Sequence, residues 1–303
     1  MTHPDAIQPN ATGQDRHRFG DGELCVVVDA HGAEPHSIRH DNHRELLWQA
    51  GPAWPRHAPI LFPIVGRLPN DTLRHAGGES RMTQHGFARD RAFSWTERTD
   101  TGCRLELRDD PATRAMFPFP FALSVSYAVR NGALDVEYRL RNPGREVLPA
   151  SLGAHPAFNW PIEPGIAKEE YRLLFEHHEP APVRRLDGGL LLPDPEPSPI
   201  CDGVLPLRDT LFAADALILE QVRSGRVRFE GPSGTPALVV SWRGAPQLGL
   251  WSKPGAGFLC IEPWAGISTP LGFDGPFETR PHLLHLPPDG DAVLGWTLRV
   301  ERS

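Results

Sequence analysis

The stretch "FALSVSYAVRNGALDVEYRLRN", Phe121 to Asn142, decides the fold class. Leu123, Val125, Tyr127 and Val129 alternate with small or polar residues, and Leu134, Val136, Tyr138 and Leu140 repeat the pattern. A period of two is the signature of a strand with one buried face. Between the two runs stands Asn131-Gly132, a dipeptide that tolerates the left-handed backbone of a tight hairpin turn. The stretch therefore predicts two antiparallel strands joined by a two-residue loop. Similar apolar runs recur along the chain: "ELCVVVDA", "ALVVSW", "LGLWSK", "GFLCIE" and "AVLGWTLRVE", each bounded by glycine, proline or charge. Helical periodicity is weak, and only "PATRAMF" and "DTLFAADALILE" suit a short helical turn. Many short strands separated by turns predict an all-β sandwich or barrel.

Composition agrees. Glycine (29) and proline (33) together make up about a fifth of the 303 residues, against about an eighth in an average protein. They follow no period, so they read as turns. A net charge of −7 with no basic patch argues against nucleic acid or an anionic membrane as partner. No apolar run approaches the ~20 residues of a membrane span. The first residues, "MTHPDAIQPNATGQDRHRFG", are polar and lack the apolar core of a secretory signal. Cys25, Cys103, Cys201 and Cys260 are far apart in sequence, three of them inside apolar runs, which suits buried free thiols in a reducing, cytoplasmic compartment.

Residues 1–18 read as a flexible arm and 19–303 as one domain. The proline-rich segment 177–206 reads as a long excursion over the sheet that walls a cleft.

Four stretches combine residues that can carry chemistry: "HAPILFPIVGRLPND" with Arg67, "QHGFARDRAF" with His85, Arg89 and Asp90, "GAHPAFNWP" with His155, and "FLCIEPWAG" with Glu262. From the residues alone, each histidine suits a structural loop residue as well as a proton carrier, and Arg67 suits a solvated surface charge. Glu262 is more distinctive. A carboxylate at the end of "GFLCI" is partly buried on this reading, and burial raises its pKa toward the range of a general base or acid. Pro263 is expected to end strand pairing there and leave the carboxylate at a rim. Trp264 beside it offers an aromatic face for sugar C–H groups. A metal site at His282 and His285 lacks a third ligand, and no metal is expected.

In order along the chain, "ILFPIVGRL", "QHGFARD", "FPFPF" (Phe117 to Phe121), "GAHPAFNWP", "DALIL" and "CIEPW" resemble the aldose 1-epimerase (galactose mutarotase-like) family, most closely its LacX-type bacterial branch. The resemblance spans about residues 20–300. It implies an antiparallel β-supersandwich with an open sugar-binding cleft, a small-molecule sugar as substrate, and no cofactor. It also implies roles. Glu262 resembles the general base for the anomeric hydroxyl, and His155 the general acid for the ring oxygen. His85 resembles a second imidazole on the ring-oxygen side. Arg67 resembles a residue that binds sugar hydroxyls or orients Glu262, and Asp215 one that holds the sugar or the acid histidine. Arg89 and Trp264 join the substrate-binding set. The sequence departs from galactose mutarotases proper in "GRLPND", where those carry Asn-Arg after the GR pair, and in "HPAF", where Ala157 replaces a tyrosine. It is thus outside that branch. Two alternatives follow: a hexose-6-phosphate epimerase, for which Arg56, Arg89 and Arg91 are available cations, and a non-catalytic sugar binder on the same fold.

Overall fold

The hairpin forms in the register that the alternation requires. In the computed structural model, which describes residues 15–41 and 43–302, Ala122–Arg130 pairs antiparallel with Ala133–Arg141. Leu123 faces Leu140, Val125 faces Tyr138, Tyr127 faces Val136 and Val129 faces Leu134, all of them buried. Asn131 and Gly132 both take positive φ, 51° and 67°, so the turn twists in the same sense as its strands. The two tyrosine hydroxyls are satisfied inside the core. Tyr127 donates to Ala33 O at 2.6 Å, and Trp296 Nε1 donates to the Tyr138 hydroxyl at 3.0 Å.

This hairpin lies in a nine-stranded antiparallel sheet. Its order is Val204–Pro206, Arg172–Phe175, Arg226–Glu230, Pro236–Arg243, Asp291–Arg302, Ala133–Arg141, Ala122–Arg130, Gly102–Arg108 and Ser94–Thr99. A second sheet runs Leu217–Leu219, Gln247–Trp251, Phe258–Ala265, Leu152–Ala154 and Ile60–Leu61, with Ala157–Asn159 also paired to Phe258–Ala265. A smaller sheet holds Arg16–Gly20, Leu24–Asp29, Glu34–His40 and Arg44–Glu45. Sheet pairing thus begins within the segment expected to be an arm, while residues 1–14 lie outside the described ones. The two large sheets share one apolar core, and Phe158 meets Trp296 edge to face across it. Strand accounts for 47% of the structure and helix for 8%, which is the expected all-β architecture.

Both short helical expectations meet the structure. Pro111–Met116 is a helix with proline in its first turn and a reciprocal cap, in which Asp110 accepts from Thr113 N and Thr113 Oγ1 accepts from Asp110 N. Asp209–Phe212 is a 3₁₀ turn, after which the "DALIL" stretch becomes the strand Leu217–Leu219.

One expectation fails. Pro263 does not end its strand, because Phe258–Ala265 runs straight through it, with Leu248 facing Pro263 and Gln247 facing Trp264. The reason is the alternation of N–H directions along an antiparallel strand. Ile261 N donates to Pro156 O, so the missing N–H at 263 belongs to the same side of the strand. On that side the neighbouring chain is interrupted between Leu152–Ala154 and Ala157–Asn159. The ladder to Gln247–Trp251, on the other side, loses nothing.

Gly132→Ala places a Cβ on a left-handed residue and costs about 1–2 kcal/mol. Leu134→Ala opens a cavity in the sheet's apolar face and costs about 2–5 kcal/mol. Urea denaturation of both variants reads the two costs, and equal losses would show that the turn constrains nothing beyond its packing.

Candidate active site

The strand Phe258–Ala265 is buried along its whole length, and its two faces do different work. Leu259, Ile261 and Ala265 enter the main core between the sheets. Phe258, Cys260, Glu262 and Trp264 point the other way, since side chains alternate. Phe258 and Cys260 pack with Trp48, Trp54 and Trp251, while Trp264 packs with Leu61, Val65 and Ile218. Glu262 stands between these two apolar groups, only 2% exposed, at the wall of a cavity of about 320 Å³. That is the lower end of the range for small-molecule sites.

Three glycine and proline positions make room for this arrangement. Gly249 pairs directly with Glu262, and Gly153 with Trp264. A Cβ at Gly249 would lie 2.3 Å from the Trp264 indole, and one at Gly153 2.8 Å from it. The indole therefore lies across bare backbone. His155 and Pro156 occupy the break between the two short strands that pair with Phe258–Ala265. Residues before proline are held in extended conformations, which helps fix the direction of the imidazole.

His155 Nε2 lies 3.3 Å from Glu262 Oε2. The Trp54 indole stacks on the imidazole at 4.9 Å between ring centroids, and Trp251 and His85 meet it edge-on at 5.9 and 5.5 Å. Among the described residues His155 Nδ1 is buried without a hydrogen-bond partner. Burial depresses the His155 pKa to about 3, with the positive charge of Arg89 acting in the same direction. Burial also raises the Glu262 carboxyl well above the usual carboxylate range, with the negative charge of Asp215 adding to it. Both shifts disfavour charge, so the single proton of the pair rests on the Glu262 carboxyl beside a neutral imidazole.

His85 is held differently. It sits at φ 65°, and its Nδ1 accepts from Gly66 N at 3.1 Å while its backbone N donates to Gly66 O at 2.8 Å. With Nδ1 accepting, the proton is on Nε2. Burial first, then His155 and Arg89, keep this ring far below the usual imidazole pKa, so it is a neutral donor. Arg89 also lines the cavity. Its Nη2 donates to Gln84 O at 2.6 Å, and Asp90 gives its closer contact to Arg56, at 2.8 Å, leaving 3.8 Å to Arg89. Asp215 also lines the cavity, and its Oδ1 accepts from Ala216 N at 2.7 Å. Its charge acts on Glu262, and it has no hydrogen bond to His155 among the described contacts.

The fold thus gathers Glu262, His155, His85, Arg89, Asp215 and Trp264 around one cavity. Arg67 stays outside. Its guanidinium makes a two-point contact with Asp71, 2.7 and 3.2 Å, and is half exposed, so it neither lines the cavity nor reaches Glu262. The chain turns at Gly66, which sends residue 67 away from the pocket that residue 66 lines. The 177–206 excursion contributes Leu186 to the wall. Trp54, Gln84, Trp251 and Ser268 also line the cavity, and the sequence reading names none of them as a site residue. Two of these carry a local signal: Trp54 is a tryptophan followed by proline in a loop, and Gln84 directly precedes His85-Gly86.

A family model for aldose 1-epimerase matches residues 15–269. The chain belongs to the aldose 1-epimerase family. This epimerase is 31% identical over 276 residues to the plasmid LacX protein of Lactococcus lactis subsp. lactis, covering 88% of this chain and 92% of that one. Its fold matches the crystal structure of a galactose mutarotase related enzyme from Lactobacillus acidophilus with a TM-score of 0.87 at 32% identity, covering 94% and 97% of the two chains. A galactose mutarotase-like protein from Lactobacillus casei matches with a TM-score of 0.86 at 26% identity, covering 94% of this chain and 100% of that one. The epimerase is therefore an isomerase of the mutarotase type.

Gly249→Ala forces the Trp264 indole off the backbone and into the cavity. The expected outcome is a stability loss of about 1–3 kcal/mol together with weaker sugar binding, read by urea unfolding and by equilibrium titration. Wild-type sugar affinity in this variant would remove Trp264 from the binding wall.

Proposed function

We propose that this epimerase interconverts the α- and β-anomers of a neutral hexose, with Glu262 as base and His155 as acid. The observation that carries the reading is the dry pair itself, 3.3 Å apart at the cavity wall. The anomeric hydroxyl and the ring oxygen share one carbon, so a base and an acid this close can serve both at once. Transfer of the pair's proton from the Glu262 carboxyl across the 3.3 Å contact to His155 frees Glu262 to take the proton of the anomeric hydroxyl while His155 protonates the ring oxygen. The C1–O5 bond breaks and an aldehyde forms. Rotation about C1–C2 presents the other face, and closure reverses both transfers. The pair holds one proton before and after, so no net charge builds up in a low-dielectric pocket. General acid–base transfers of this kind are worth about 10²–10⁴-fold each. On this reading His85 Nε2–H donates to the sugar without changing its own charge. Arg89, Asp215 and Gln84 offer partners for hydroxyls, and Trp54, Trp251 and Trp264 offer aromatic faces.

The charge balance of the lining favours a neutral sugar. Among the described lining residues one cation, Arg89, stands against one carboxylate, Asp215, and the Glu262–His155 pair with its single proton adds no net charge. Arg56 is tied to Asp90, and Arg91 is not part of the lining. A phosphate dianion would meet one guanidinium that Asp215 already balances, and no further cation. The four cysteines are free, which supports a reducing, cytoplasmic setting, and no described helix is long and apolar enough to cross a membrane.

Polarimetry on freshly dissolved α-sugars, with and without 6-phosphates, tests the substrate. Faster equilibration of a free hexose is expected, and a preference for the phosphate that Arg89→Ala abolishes would overturn the neutral-sugar reading. Glu262→Gln keeps the shape of the side chain and removes its proton affinity. It should still bind sugar and lose at least about 10²-fold in kcat. Full activity with weakened binding would move the base elsewhere, Asp215 first.

The pH profile gives a separate check. A second proton reaches the pair only as pH falls toward the depressed pKa of His155, about 3, so kcat should stay flat through the ordinary imidazole range. The single proton leaves only above the raised pKa of Glu262, so the loss lies on the alkaline side. A kcat that falls with an ordinary histidine inflection on mild acidification would contradict the shared-proton description.

A further inference from the structure

Glu34, His36 and His57 lie outside the cavity lining and place one carboxylate oxygen and two imidazole nitrogens within 4.8 Å of one another. We propose that these three residues form a binding site for a divalent transition-metal ion of the zinc class. Two imidazoles and one carboxylate are a recurring zinc ligand set that leaves a fourth position for water.

The residues come from two segments that only folding brings together. Glu34 and His36 lie two residues apart on the strand Glu34–His40, where a bulge opposite Val27 and Val28 leaves His36 unpaired, and their ligand atoms meet within 4.8 Å. His57 ends the loop that follows Trp54 and Arg56. Glu34 already anchors this loop. Its Oε1 accepts from His57 N at 2.8 Å and from Ala58 N at 2.7 Å, and it is 6% exposed. Oε2 makes no hydrogen bond among the described contacts and remains available for an ion.

The two imidazoles stack at 4.4 Å between centroids and 16° between planes. Asp29 lies 3.9 Å from His36 Nδ1 and is itself held by Arg16 Nε at 2.7 Å and His31 N at 2.9 Å. With His36 Nε2 on the ion, Nδ1 faces this carboxylate, the arrangement that usually orients a metal-bound histidine. The charged groups around the rings are Asp29, Glu34 and Glu45 against Arg16, an excess of negative charge that favours a cation.

Parallel rings do not aim their lone pairs at one point, so binding requires side-chain rotation. Both rings are partly exposed and can turn without disturbing the core. Glu34 is fixed by its backbone contacts and serves as the immobile ligand. An ion there would tie the strand Glu34–His40 to the loop that carries Trp54, the indole stacked on His155.

The test uses the full chain, untagged and stripped with chelator, titrated with Zn²⁺ by calorimetry and with Co²⁺ by visible absorption. Wild type should take up a single tight equivalent, give the intense cobalt bands of four-coordinate geometry, and gain thermal stability with zinc as mass action requires. His36→Ala/His57→Ala should lose that equivalent, the bands and the stability gain, with its circular dichroism unchanged. Cys260→Ser controls for the buried His155, Cys260 and Glu262 cluster and should keep all three signals. Uptake by the double variant equal to wild type, loss of the signals in Cys260→Ser, or no tight uptake by wild type would each overturn the proposal. Should the double variant misfold, His36→Gln and His57→Gln singly replace it, and full binding by both would overturn it equally.

Discussion

A carboxylate in a strand that is buried on both faces is the constraint around which this molecule is built. An isolated charge in such a place is costly to bury, so the group either stays neutral or finds a partner for its proton. Glu262 finds His155. The break between Leu152–Ala154 and Ala157–Asn159 puts that imidazole beside the carboxylate instead of another paired backbone residue. The same break absorbs the missing N–H of Pro263. The absence of a side chain at Gly249, directly across from Glu262, leaves space for Trp264 to lie flat beside the pair.

The two large sheets divide the work. None of the residues lining the cavity comes from the nine-stranded sheet. That sheet supplies the broad apolar face against which Leu259, Ile261 and Ala265 pack. A strand pinned in this way on one face can carry polar groups on the other without losing its position. Apart from Ile218, at the centre of Leu217–Leu219, the other lining residues sit on loops and strand ends, among them Trp54, Gly66, Gln84, Arg89, Asp215 and Ser268. Loops supply the variable chemistry and the sandwich supplies the fixed frame.

Arg67 and Arg89 show where a sequence pattern stops being informative. Each is an arginine a short way past a glycine in a motif that resembles the family's. Gly66 takes positive φ and turns the chain so that Arg67 leaves the pocket and meets Asp71, four residues on. Arg89 follows His85, which also has positive φ, and a 3₁₀ turn at Ala88–Asp90 leaves its side chain along the cavity while Asp90 faces Arg56. Local spacing is the same kind of signal in both cases, and the backbone turn decides the outcome. Trp54 and Trp251 illustrate the converse. They are 197 positions apart in the numbering, and they become walls of one site only because Trp251 pairs with Cys260 and the Trp54 loop folds over the same face.

The chain by itself determined what depends on neighbouring residues. Alternation with a period of two and the Asn131-Gly132 turn fixed the central hairpin, because side-chain direction and turn twist are local properties of the backbone. The apolar run before Glu262 marked a carboxylate in a dry setting for the same reason. Tertiary structure alone decided the meeting of Glu262 with His155, the tautomer of His85, the exclusion of Arg67 and the meeting of Glu34, His36 and His57. Each of these depends on distances of a few ångströms between segments far apart in the chain. Such distances follow from sheet register and from which strand crosses which, and neither is encoded in the spacing of any single motif.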